Sequence, residues 1–83
     1  MTRAEAIAEL EKTGANTRFA RLVSICETLF GKGRQKGTSH RIIKTGVADP
    51  AFFNLQEAKG GKAKDYQVEQ VLSFLKAHPE GKV

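Results

Sequence analysis

The run Gly37-Thr38-Ser39-His40 lies among lysines and arginines and brings one proton-transferring imidazole into a cationic setting. Within residues 31–64, Lys32, Arg34, Lys36, Arg41, Lys44, Lys59, Lys62 and Lys64 are opposed only by Asp49 and Glu57, a net +6. The whole chain carries +5, so the remaining residues sum to −1 and the positive charge is localised. Such a patch is an electrostatic footprint for a polyanion, because each neutralised phosphate releases condensed counterions. Breaking a phosphodiester needs in-line attack, a proton donor or acceptor, and positive charge on the developing oxygens. In RNA the adjacent 2′-hydroxyl can attack, so an imidazole in a cationic field is the equipment for cleavage without a metal.

His40 is the only side chain of the basic segment whose ordinary pKa suits proton transfer near neutrality, as general base or as general acid. Arg34, Lys36, Arg41, Lys44, Lys62 and Lys64 are the candidate phosphate contacts. Gly37 either lets backbone N–H groups approach a phosphate or simply makes a hairpin turn. Ser39 orients His40, binds phosphate, or only starts a strand. Ser39 and His40 are not a nucleophilic dyad, because strand neighbours point to opposite faces. Tyr66 stacks on an unpaired base or, more plainly, packs its helix start on the sheet. His78, beside Pro79, suits a helix C-terminus. One Cys and two His cannot assemble a usual zinc site, and Asp49 and Glu57 are too dispersed for a two-metal nuclease. No metal or cofactor is expected.

These residues need elements to hold them. Thr2 and Glu5 have capping-box spacing, Ile7, Ala8 and Leu10 can line one side of a short helix, and Gly14 should stop it. Asn16 or Thr17 can cap a second helix, on which Phe19, Leu22, Val23, Cys26, Leu29 and Phe30 form an apolar stripe that ends at Gly31 and Gly33. Residues 31–38 read as a short edge strand and tight turn, Ser39 to Thr45 as a strand, and Gly46 to Pro50 as a turn. Phe52 to Gln56 is a further strand, with Phe53 and Leu55 pointing one way and Asn54 and Gln56 the other. Ala58 to Ala63 reads as a flexible basic loop. Asp65 opens a closing helix with Val68, Val71, Leu72 and Leu75 on its stripe, and Pro79 ends it. The order α-α-β-β-β-α predicts an α+β fold: a three-stranded antiparallel sheet with helices on one face, leaving the other free to bind.

At 83 residues the chain is one small domain, burying about 60% of its unfolded surface. The lone Cys26 cannot form an internal disulfide, and its place on the stripe predicts a buried, inert thiol. No apolar run approaches the ~18 residues of a membrane span. The stretch Leu22 to Phe30 is broken by Ser24, Glu27 and Thr28, and the polar N-terminus has no signal-peptide core, so a reducing cytoplasm is expected.

Several separated blocks, in order, carry a family likeness. Residues 34–41 (Arg-Gln-Lys-Gly-Thr-Ser-His-Arg), the Lys44-Thr45 strand end, Phe53-Asn54-Leu55-Gln56 and residues 61–68 (Gly-Lys-Ala-Lys-Asp-Tyr-Gln-Val) resemble HicA-type toxins over roughly residues 17–77. Helix 2–13 lies outside the likeness, as a short N-terminal extension. Gly46-Val47-Ala48 departs from the Pro- or Trp-containing turn of many relatives. The resemblance implies an α-β-β-β-α fold like the double-stranded-RNA-binding domain and a cytoplasmic mRNA interferase of a type II toxin–antitoxin system. It implies that His40 is catalytic and that a HicB-type antitoxin neutralises the chain. That partner should cover His40 and the basic face with acidic surface, because burying so much charge unpaired is costly. The rival is a non-catalytic RNA-binding module using the same sheet and cations. A transcription-factor fragment fits less well, since no helix concentrates basic residues as a recognition helix would.

Overall fold

The computed structural model describes residues 1–36 and 40–79, apart from the side chains of Gln35 and Lys36. Gly37, Thr38 and Ser39, and with them the tight turn expected there, lie outside the described residues. The first helix, α1 (Arg3–Thr13), opens on the capping box its spacing predicts. The Glu5 N–H donates to Thr2 Oγ1 at 3.0 Å, and the Thr2 N–H donates to the Glu5 carboxylate at 2.7 Å. Its buried side is Ala6 and Leu10, with Ile7 half-buried; Ala8, expected on that side, is exposed. Arg3 lays its guanidinium over the rings of Phe30 and Phe74, at 4.8 and 5.7 Å, and donates to the His78 carbonyl at 2.9 Å. A helix of three turns is marginal alone, so these contacts keep α1 folded and make it part of the core.

A 3₁₀ turn (Gly14–Asn16) leads into α2 (Phe19–Phe30). The position before α2 is Arg18, with no side-chain cap, instead of the expected Asn16 or Thr17. The Thr17 hydroxyl is buried and spent backwards, donating to the Gly14 carbonyl at 2.7 Å and meeting Thr13 Oγ1 at 2.6 Å. Leu22, Val23 and Cys26 are buried as the stripe predicts, and Ile25 joins them.

The strands are β1 (Arg34–Lys36), β2 (His40–Lys44) and β3 (Phe52–Gln56), joined antiparallel in the order β1-β2-β3. Ile43, Phe53 and Leu55 are buried with the helical residues in one cluster. Phe30, Phe53 and Phe74 meet edge-on there, with centroids 5.5–5.7 Å apart. Gly33 lies hard against this side: a β-carbon there would sit 2.8 Å from Ile43 Cγ1. The closing helix α3 (Asp65–Ala77) buries Val68, Val71, Leu72 and Leu75, with Gln67 and Phe74 beside them. The chain thus has the expected α+β class, and among the described residues no helix is long and apolar enough to cross a membrane.

Candidate nucleic-acid interface

Strand alternation decides which residues share the open face. Ile43, Phe53 and Leu55 point to the helices, so His40, Ile42 and Lys44 of β2 and Phe52, Asn54 and Gln56 of β3 point the other way. Arg34 is paired with Ile42, which assigns it to that same face, and the backbone of Lys36 is paired with His40. Phe52 is 51% exposed there.

His40 is half-buried, and its cross-strand partner is Gln56. Lys64 Nζ donates to Gln56 Oε1 at 2.7 Å, which leaves the amide NH₂ to face the imidazole. That nitrogen lies 2.9 Å from His40 Nε2 and 3.2 Å from Nδ1, and donates to whichever ring nitrogen lacks a proton. Gln56 is itself held from behind. Gln67, on α3 and only 4% exposed, accepts from the Gln56 N–H at 2.8 Å and donates to the Asn54 carbonyl. These two backbone groups lie on the β3 edge away from β2, so one buried amide closes an otherwise open strand edge. The sequence of supports runs from α3 through Gln67 to β3, then through Gln56 to His40.

Lys62, Lys64 and Tyr66 come together beyond β3, around a concavity of about 720 Å³. Tyr66 is 62% exposed, so its ring does not pack on the sheet as the plainer expectation had it. The loop before α3 is tied down where a flexible one was expected. A bridge joins Arg18 to Lys62, the Ala63 N–H donates to the Thr17 carbonyl at 2.9 Å, and Arg18 Nη1 donates to the Gly60 carbonyl at 3.3 Å. Gly61 has φ +77°, a left-handed conformation that favours glycine at this turn beside Arg18.

Arg41 is the candidate that the fold does not bring to the site. As the strand neighbour of His40 it points to the helix side, 3.6 Å from Glu27, whose carboxylate also accepts from the Gly33 N–H at 2.9 Å. Its charge is used to hold α2 and the approach to β1 against β2. The alternation that separates Ser39 from His40 is the signal that separates Arg41 from it too. Gly37 and Ser39, like the Lys36 side chain, are outside the described residues. Arg34, Lys44, Lys62, Lys64 and His40 are placed as described above. Gln56 was not foreseen as a site residue, although its expected direction put it on the right face.

Neither remaining reactive group joins the site. Burial pushes the Cys26 thiol up to about 12, with the Glu27 carboxylate adding to the shift. His78 caps α3 with its ring 4.5 Å from that of Phe74. Among the described residues no three His, Cys, Asp or Glu side chains gather where an ion could be held. No protein-family model, no curated protein and no solved structure matches the chain.

Proposed function

We propose that the chain is a metal-independent endoribonuclease, the mRNA-cleaving toxin of a type II toxin–antitoxin pair, with His40 transferring the proton. The fold reading that accompanies it is the α-β-β-β-α arrangement of the double-stranded-RNA-binding domain, with α1 added in front. One observation carries the proposal. The imidazole stands on the open sheet face, held by Gln56, whose amide Lys64 orients, with Arg34 and Lys44 on the same face. RNA laid across that face would present a phosphodiester to His40 and further phosphates to the lysines and Arg34, and Tyr66 offers a ring on which an unpaired base can stack. The resemblance of residues 17–77 to HicA-type toxins adds the biological setting: a cytoplasmic chain, silenced by a HicB-type antitoxin that covers His40 and the cations.

A non-catalytic RNA-binding module would use the same face without the imidazole. His40→Ala separates the two. The enzyme loses cleavage by about 10²–10⁴-fold, the usual contribution of a general acid or base, and keeps its RNA affinity. Wild-type protein that binds RNA and never cuts it, with or without EDTA, refutes the catalytic reading.

A further inference from the structure

A second concavity, of about 370 Å³, lies on the β1 side of the sheet and is lined by Phe30, Gly31, Lys32, Arg34, Ile42 and Lys44. We propose that it binds one nucleotide of the same RNA strand, beside the nucleotide at His40, with phosphate on the cations and the base against Phe30 and Ile42. The inference rests on the reading of the open face as RNA-binding.

The strand period builds this pocket. Residues 32 and 34 alternate with Gly33, which presses on Ile43 and the Arg41 stem, so Lys32 and Arg34 are directed away from the helices. Arg34 is paired with Ile42, and Lys44 follows two residues along β2. Gly31 ends α2 at φ +106° and contributes no side chain, which leaves the space between the helix end and the sheet open. Phe30 and Ile42 are half-buried and supply an apolar wall.

Three cations therefore surround one hollow, and among the described residues none of them has a carboxylate partner. Like charges held together repel unless an anion joins them, and an arginine fork beside lysines is suited to a phosphate. A carboxylate from an acidic protein would answer the charge but leave the apolar wall bare. A nucleotide answers both, since bases lie on apolar side chains while their phosphates take the cations. Ile42 and Lys44 are two and four residues from His40 on one strand face, about 7 and 13 Å at ~3.3 Å per residue. The pocket is thus next to the imidazole and not part of the group that would transfer the proton.

The test uses the non-cleaving His40→Ala protein, a fluorescein-labelled short oligouridylate and a salt titration. Adding Lys32→Gln and Lys44→Gln, both at exposed positions, should weaken binding. It should also flatten the slope of log K against log salt by about 1.4, two contacts at ~0.7 each for single strands. Ile42→Thr should lower affinity about fourfold with the slope unchanged, because it removes apolar contact and no charge. Unchanged affinity and slope in the double variant overturn the pocket while the RNA-binding reading stands. Absence of binding by the His40→Ala parent overturns both. A flattened slope with a wild-type protein that cuts no RNA upholds the pocket and refutes only the cleavage. Competition by polyglutamate as strong as by unlabelled oligouridylate overturns the nucleotide in favour of an acidic protein partner.

Discussion

Replacing Gln67 by leucine asks whether one buried amide fastens the edge of the sheet that carries the candidate site. In the native fold this side chain satisfies two backbone groups of β3, the Gln56 N–H and the Asn54 carbonyl. Leucine fills a similar volume and keeps the helix propensity, so the loss is confined to those hydrogen bonds. A buried backbone group deprived of its partner costs ~1–3 kcal/mol. Both bonds are only partly buried, so water can reach part of the edge, and the gain from a more apolar side chain offsets some of the rest. A net loss of about 2–3 kcal/mol is expected. At ~4–8 °C per kcal/mol for a domain of this size, Tm should fall by on the order of 10–20 °C. Thermal melting followed by circular dichroism measures it. Gln70→Leu, at an exposed position of the same helix, is the control and should change stability by less than ~0.5 kcal/mol. A Gln67→Leu protein that melts within about 2 °C of the parent would refute the idea that this amide closes the strand edge.

Gln56→Leu removes the group between Lys64 and His40; if the ribonuclease reading holds, cleavage should fall about five- to tenfold, the worth of one hydrogen bond near 1 kcal/mol. Nitrogen-15 shifts of the imidazole should move with it, and unchanged shifts with an unchanged rate would remove Gln56 as a positioning residue. The Cys26 thiol, raised from 9.0 to about 12 by burial, should resist thiol reagents at pH 8 until the protein unfolds. Because the unfolded thiol ionises first, its contribution to stability is whole below pH 9 and declines by up to ~1.4 kcal/mol per pH unit towards 12, as alkaline urea melts should record. Arg3→Ala should cost about 1–2 kcal/mol through the lost bond to the His78 carbonyl and the lost contact with Phe30 and Phe74, read from urea unfolding; an unchanged midpoint would make α1 an ornament and not part of the core.

Much of the chemistry that acts within a few residues was legible. Thr2 and Glu5 announce their capping box, the strand Phe52–Gln56 and its two faces follow from alternation, and the Asp65 helix from its stripe. Where expectation failed, a competing partner had intervened, near or far. Thr17 does not cap α2 because its hydroxyl is engaged by Thr13 and Gly14 one turn before it, while the basic loop is held by Arg18 from far upstream in the chain. Tyr66 stays exposed because the face of α3 that meets the sheet is taken by Gln67 and Val68.

The amino-acid order by itself settled the charge concentrated between residues 31 and 64, the limits of α1 and α3, and the strand parity that sends Asn54 and Gln56 one way and Phe53 and Leu55 the other. It did not settle which residue stands opposite His40. Sliding β3 by two residues would keep the same apolar side chains inward, so the pattern specifies a face and not a partner. Only packing in three dimensions, with Gln67 gripping the β3 edge and Lys64 orienting the Gln56 amide, decided that pairing. It also decided that Arg41 would face Glu27 while Lys32, Arg34 and Lys44 ring one hollow, because these juxtapositions depend on how α2 seats against the sheet.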